Sequence, residues 1–531
     1  MEHKKIIGFT ISKFEIDHSD IDIFNTGLNF VKFFKTGLHV YLWGIGDIQN
    51  CKIIEKYSLS FPLNDSLYDR NILITFGNDF ISIENDWLGS IPVFYNSVDL
   101  IISTLSLKTL KDKTLSPEGL YNYFEFGYSV FEQTPFEQVK FMKYFSELRI
   151  DKEKIEIAHK KDPISDEDVI NIKTSENELL TELANHVREI EKKTCGKIII
   201  PTSGGYDSRV LNFLIKGKSR IASFTYGCSS DQTKNIEVVY AKKLSEILET
   251  FWQQIELKNS NRYIPQWHKL FGFSTHLHGM YHVEFYKKIF ENFKFGKSAT
   301  LLSGIFGDVW AGKVDYNMIT KAEDLILLAY THGLCIQKKH LASIPQNNSR
   351  EKYFQENKEK LYDNKLKPVY TIRMKLMLIS YLTQLPEYFG FAVWTPFLNM
   401  NLCVKTLNLP QSKRRNRLWQ KEFFTKNNID LENMKLHVQR SNILIYEHAK
   451  ITEFEPIKIE LFKNYIDTGY LKRINRKISK LSLTDSLKNK LLTLRIVKGI
   501  CGILGIRNTY VEAVLDYYII KSIEMSLLHE N

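Results

Sequence analysis

The chain is short of almost everything that would move it out of the ordinary globular class. Its 6 cysteines (Cys51, Cys195, Cys228, Cys335, Cys403, Cys501) are scattered, with no CxxC pair and no Cys/His ligand spacing. That excludes a recognisable zinc site or disulfide frame and fits reduced thiols. With 13 Pro and 26 Gly among 531 residues, collagen-like and Pro/Gly-rich disordered classes are excluded too. No run approaches the about 18 apolar residues that cross a bilayer; the longest candidate, 500–506, is far shorter. Met1-Glu2-His3-Lys4-Lys5 is not followed by the apolar core and small-residue cleavage site of a secretory leader. The expectation is a cytoplasmic protein without a membrane partner.

What is present is a folding composition, 44% hydrophobic and 25% charged, over a length that predicts two domains and a helical tail. The net charge of +11 would suit nucleic acid or phosphorylated substrates. Lys, Ile and Asn are abundant throughout, however, and Lys413-Arg414-Arg415-Asn416-Arg417 and the basic series 472–480 read as solvated helix faces.

Residues 1–155 carry short β-rich runs at 5–11, 38–42, 72–76, 80–83, 92–95 and 100–103, separated by Asp/Asn/Gly turns. One helix is predicted over 117–126, with Ser116 as N-cap and Pro117 at its first position. A charged connector, 160–175, precedes an amphipathic helix over 176–192. Strands at 197–200, 221–226, 251–257 and 299–302 then alternate with helices, and the pattern beyond about 315 is almost wholly helical. The fold class is α/β: an α+β antiparallel unit, then a parallel sheet with a helical C-terminal part.

The strand 198–200 runs into PTSGGYDSR, residues 201–209. Ser203, Gly204, Gly205 and Ser208 stand where a buried strand turns into a helix start. Glycine lets backbone amides approach an anion, and a helix N-terminus favours negative charge. Asp207 would repel a phosphate there unless a cation such as Mg²⁺ lies between them. No lysine occupies the Walker position. A second turn, SGIFGDVWAG from Ser303 to Gly312, puts Asp308 among small residues after strand 299–302. Two such turns could offer two carboxylates to one Mg²⁺ and amides to one triphosphate.

Strand-SGGxDS with a downstream SGxxGD turn resembles the ATP-pyrophosphatase (PP-loop) domain of asparagine synthetase and its relatives, including β-lactam synthetase-type enzymes and lasso-peptide cyclases. LPEYFGFAVWTPFLN (385–399) is similar to that family's stretch ending in PFLD. DWLGSIPVFY (86–95), Phe126-Gly127-Tyr128 and Thr134-Pro135-Phe136-Glu137 resemble its Ntn-type glutaminase domain. The resemblance covers about residues 1–440 and implies an amidotransferase-like domain over 1–160 and an ATP-pyrophosphatase domain over 176–440; a helical extension over 441–531 is expected outside it. It implies that Ser203, Gly204, Gly205, Asp207 and Ser208 hold pyrophosphate and magnesium, and that Asp308 is the second metal ligand. Ser303 and Gly304 would lie near the α-phosphate, and Phe224, Thr225 and Tyr226 would flank adenine. The implied reaction is Mg²⁺-dependent adenylation of a small-molecule or peptide carboxylate by ATP, followed by attack of an amine. A homodimer is left open.

The chain departs from the family in two places. The glutaminase nucleophile, a Cys exposed at position 1 after Met removal, is absent: Glu2 follows Met1 and the nearest thiol is Cys51. The amidotransferase-like domain is therefore expected to be inactive. Where relatives carry a general-base pair, this chain has Ile305 and Ala392, and Asn442 of Arg440-Ser441-Asn442 stands in for the family lysine, with Lys421 and Lys435 as substitutes. His276, His278 and His282 are candidate bases. Two alternatives stay open: a catalytically degenerate nucleotide-binding protein, against which the intact turns weigh, and a tRNA-modifying PP-loop enzyme. That last chemistry needs cysteines near the site, and Cys228 alone is close to the second strand.

Overall fold

The computed structural model describes residues 5–49, 54–61, 66–165, 167–293, 295, 299–312, 318–329, 334–342, 345–346, 348–493 and 508–530. Cys51, Cys501, residues 1–4 and the 500–506 run lie outside them.

The β-rich runs pair into two antiparallel sheets, one six-stranded and one five-stranded. Strand Lys5–Ser12 lies inside the six-stranded sheet, and its register shifts between Ile6 and Gly8. Ile6, Phe9 and Ile11 share a core with Ile72, Ile74, Ile83 and Leu148 of the second sheet. Ile7, with Trp43 and Phe94, joins the larger core of the rest of the molecule. A sheet covered on both faces explains why all of KIIGFTIS is buried, Lys5, Thr10 and Ser12 included. The turn at 86–90 is organised by the buried Asp86 carboxylate, which accepts from the amides of Asn71, Leu88 and Ser90 at 2.9–3.1 Å. Helix α1, Pro117–Phe126, starts at Ser116, whose Oγ accepts from Gly119 N (3.1 Å), and stops at Gly127 with φ 79°.

Helix α2, Glu176–Lys193, opens with a Ser175/Glu178 capping box and leads into strand β1, Ile198–Pro201. After β1 come α3 (Tyr206–Leu214), β2 (Ile221–Thr225), α4 (Ile236–Leu248), β3 (Phe251–Gln254), β4 (Thr300–Leu302) and α5 (Gly307–Trp310). Helices α6 (Lys367–Ile379) and α7 (Tyr381–Glu387) precede a short strand, β5 (Ala392–Trp394). That three-residue strand is the exception in an otherwise almost wholly helical region beyond 315. The five strands form one parallel sheet in the order β3-β2-β1-β4-β5.

The antiparallel layer is tied to this unit by buried polar bonds. Arg373 of α6 donates to Trp87 O (2.7 and 3.1 Å) and to the Asp162 carboxylate, while Trp87 Nε1 donates to Leu398 O at 2.9 Å. Helices α8 (Thr468–Ser479) and α9 (Thr509–Leu528) complete the fold. Helix α9 has no solvent face: Val514, Tyr518, Ile519, Ile520 and Ile523 are all at most 1% exposed. Its Ser522 Oγ bonds Tyr123 OH of α1 (2.7 Å), its Ser526 Oγ bonds His268 Nε2 (2.9 Å), and Tyr518 OH donates to Asn261 Oδ1 (2.6 Å). Among the described residues no helix is long and apolar enough to cross a membrane.

Asp516 of α9 receives the Tyr470 hydroxyl of α8, and burial pushes its carboxyl up to about 7. A carboxyl that binds its proton more tightly folded than unfolded stabilises the protein below the ordinary carboxylate range. That contribution is lost as pH rises through about 7. Between roughly pH 4 and 7 the loss approaches about 1.4 kcal/mol per pH unit. Urea unfolding across this window should show Asp516→Asn with a flatter stability profile than wild type; parallel profiles would contradict the assignment.

Candidate active site

The strand order reverses between β1 and β4, which makes the crevice at their C-terminal ends the topological switch point, where open α/β sheets bind ligands. Both glycine turns lie there. A Cβ added to Gly304 would come within 2.9 Å of Ser208 N, and one on Gly307 within 2.6 Å of Asp207 Cγ. The turns therefore touch, and glycine is required at both points. The second turn is also tied to the sheet, Ser303 N donating to Trp394 O at 2.9 Å. Its Phe306 has φ 72°, a costly conformation for a bulky side chain of the kind that concentrates at functional sites.

Within the first turn, Ser203 N donates to Ser208 Oγ (3.2 Å), Gly205 N to Ser203 Oγ (3.0 Å), and Gly204 N to Glu237 Oε2 of α4 (2.5 Å). Neither α3 nor α5 carries a side-chain cap; in α5 the amides of Gly307 and Val309 turn back onto Gly304 O (3.4 Å) and Phe306 O (3.1 Å). The turn rests on Arg209, which is fully buried. Its guanidinium donates to Gly204 O (3.0 Å), pairs with both oxygens of Glu432, and lies over the rings of Tyr206, Tyr240 and Phe424.

Asp207 and Asp308 occupy the first turns of α3 and α5. Asp207 Oδ1 accepts from Gln420 Nε2 at 3.1 Å. The donor set suits magnesium, which takes one or two carboxylates and completes its shell with phosphate oxygens and water. Among the described residues there is no cluster of three His, Cys, Asp or Glu side chains of the kind a transition metal needs. The half-buried Lys375 of α6 also belongs here: burial lowers its ammonium to about 8, with the Asp308 carboxylate opposing that shift.

The remaining sequence candidates separate. Phe224 is fully buried among Phe251, Phe293 and Phe295, and Thr225 is held by Thr202 O and Trp252 Nε1. Tyr226 is half-buried, with its hydroxyl 3.4 Å from His282 Nε2. Burial pushes His282 down to about 3, too weak a base for proton transfer at neutral pH. His276 accepts from His278 N as the cap of a short 3₁₀ turn. Ile305 lies beside Ser303, its amide on Ser303 Oγ, whereas Ala392 is fully buried in the sheet. Lys421, Lys435 and Arg440 are exposed, and Asn442 accepts from Leu444 N at the start of a helix. The Cys228 thiol is pushed up to about 12, first by burial and then by Glu237, and is inert at neutral pH.

Arg417, read from the sequence as part of a solvated basic face, is instead placed beside the first turn. Two consecutive left-handed residues, Asn416 (φ 53°) and Arg417 (φ 57°), fold the basic segment back so that the Arg417 guanidinium lies 4.0 Å from the centre of the Tyr206 ring. A fixed cation is thereby held beside the first turn. If it meets phosphate oxygens, Arg417→Ala should weaken ATP binding about tenfold or more, the loss of one charge-assisted bond. Calorimetric titration with ATP and Mg²⁺ tests this; unchanged affinity would limit Arg417 to packing on Tyr206.

No protein-family model matches the chain, and no curated protein matches it. Among solved structures, an NH3-dependent NAD synthetase from Campylobacter jejuni, in complex with the nitrate ion, is matched over 39% of this chain and 96% of its own. The identity is 17% and the TM-score 0.22. A likeness of that degree carries no argument.

Proposed function

We propose that the chain is an ATP- and Mg²⁺-dependent carbon–nitrogen ligase of the asparagine synthetase type, without glutaminase activity. One observation carries the reading: two glycine turns, each ending in an Asp at a helix start, touch at the switch point of a parallel sheet. In this reading 1–160 is an inactive amidotransferase-like layer, 176–440 the ATP-pyrophosphatase unit and 441–531 its helical complement. The partners are a small-molecule or peptide carboxylate and an amine.

The carboxylate oxygen attacks the α-phosphorus of ATP and pyrophosphate leaves; the amine nitrogen then attacks the acyl carbon, AMP leaves and the nitrogen gives up a proton. Asp207 and Asp308 would hold a magnesium ion, which would supply charge neutralisation on the departing pyrophosphate. The first-turn amides of α3 and the Ser203 and Ser208 hydroxyls orient phosphate oxygens, and Arg417 adds a fixed positive charge. Phosphate reaches the Gly204 amide by displacing Glu237, whose carboxylate holds it in this structure. Tyr226 gives adenine a flat contact. Lys375 takes the place of the family's base pair: at about 8, a substantial fraction is neutral at mildly alkaline pH and accepts the proton.

Exchange of labelled pyrophosphate into ATP, across a panel of carboxylates, is the test. Exchange with one class of acid supports the reading. Absence of exchange with every acid, together with ATP binding indifferent to Asp207 and Asp308, would instead make this a nucleotide-binding protein. Lys375→Met should preserve exchange but slow amide formation about 10²–10⁴-fold. Equal loss in both steps would make Lys375 a phosphate-binding residue.

A further inference from the structure

We infer that the chain has a second ligand site, for a small zwitterion of the free amino-acid class, in the cavity between the antiparallel layer and helix α2. The inference stands whether or not the chain is a ligase.

The cavity measures about 180 Å³. An apolar cavity of about 150 Å³ takes up benzene, so this one accommodates a molecule of amino-acid size. Its walls come from three parts of the chain: Asp69 and Arg70 from the antiparallel layer, His186, Glu189 and Lys193 from α2, and Trp394 at the end of β5. The rings of His186 and Trp394 are near-parallel (12°) with centroids 6.3 Å apart, and make a flat wall.

The charges are what identify the ligand. Arg70 is 8% exposed and donates through both terminal nitrogens to Glu387, at 2.8 and 2.9 Å. Lys5 binds the same carboxylate, so two buried cations share one buried anion. Burial first, and Arg70 after it, lower Lys5 to about 8 despite that carboxylate. Arg70 Nε–H, moreover, has no acceptor among the described residues. A buried donor without an acceptor is destabilising, and a ligand carboxylate supplies one. At the rim, exposed Lys193 adds a second cation, and Glu189, whose Oε1 accepts from the exposed Lys192 Nζ at 3.2 Å, offers its carboxylate to a ligand ammonium. Asp69 accepts from Asn399 Nδ2 at 2.9 Å and presents negative charge on the layer side. A lining with both signs and an aromatic wall discriminates against simple anions and favours a compact zwitterion.

The site is separate from the crevice but connected to it. Trp394 O accepts from Ser303 N, and Thr395 Oγ1 donates to Ile305 O at 3.4 Å, so the strand end that closes the cavity also holds the second glycine turn.

Full-length protein should be titrated calorimetrically with the common free amino acids, their methyl esters and their N-acetyl derivatives, with and without ATP. The expected result is binding of at least one free amino acid, weakened about tenfold or more in both derivatives. Lys193→Ala and Glu189→Gln, both at exposed positions, should each weaken it severalfold without changing the melting temperature. Arg70 is left intact in this test because its loss would break the pairing with Glu387. Failure of every free amino acid to bind would overturn the inference. So would derivatives that bind as tightly as the parent, variants that bind normally, or a ligand that ATP displaces competitively, since that ligand would be in the crevice.

Discussion

A chain ending at residue 507 is expected not to fold. Helix α9 is enclosed on all sides, and eight of its side chains (Tyr510, Val514, Leu515, Tyr517, Tyr518, Ile519, Ile520, Ile523) are at most 6% exposed. At the low end of about 1.5 kcal/mol for each buried side chain, removing them forfeits roughly 12 kcal/mol. Net stabilities are about 5–15 kcal/mol. The polar losses add to this. Asn261, His268 and Tyr123 would keep buried polar atoms while losing their α9 partners, and Lys458 N would lose the Glu524 carboxylate (2.6 Å). The readout is the cooperative melting transition and the state in size-exclusion chromatography. A truncated chain that melts cooperatively near the wild-type temperature would show α9 to be an accessory. Ser522→Ala, which removes only the hydroxyl bonded to Tyr123, should cost about 1 kcal/mol and serves as the conservative control.

Asp207→Ala and Asp308→Ala should each reduce pyrophosphate exchange by about 10²–10³-fold. Because both act on the same guest, the double variant should be little worse than either single one. Full additivity would mean that the two carboxylates act independently, contrary to the touching turns. Replacement by Asn preserves shape and removes charge, so a large loss there, with the melting temperature maintained, would assign the effect to the anion. Raising Mg²⁺ should recover part of the single-variant activity, as expected when one of two ligands is lost.

Much of this was legible because it is local. Ser116 and Pro117 announce α1 and Gly127 ends it within a few residues of chain, and the turn SGGYDS brings its own strand and helix. Strands Asn29–Lys35 and Ile155–His159 escaped the pattern because they are edge strands with mostly exposed or half-exposed faces, where no apolar alternation is needed. Strand β5 was hidden because three residues, all buried, have no period to display. The site residues that were missed are tertiary. Glu237 meets Gly204 across 33 residues, Gln420 meets Asp207 across 213, and Arg417 reaches Tyr206 only through two left-handed backbone residues that an Asn-Arg pair does not advertise. Likewise α9 reads as a helix from its composition, but nothing local says which surfaces enclose it.

The enclosure of α9 also sets how quickly the molecule can reach its native state. Tyr123 and Ser522, which meet in the core, are 399 residues apart, and His268 and Ser526 are 258 apart. Contacts of such sequence separation form late, after the entropy of closing a very long loop has been overcome, and they slow folding. Until then α1 and the segment around His268 present the apolar lining of an unfilled channel to water. Refolding from denaturant should therefore pass through a compact intermediate that binds hydrophobic dyes and aggregates with rising concentration.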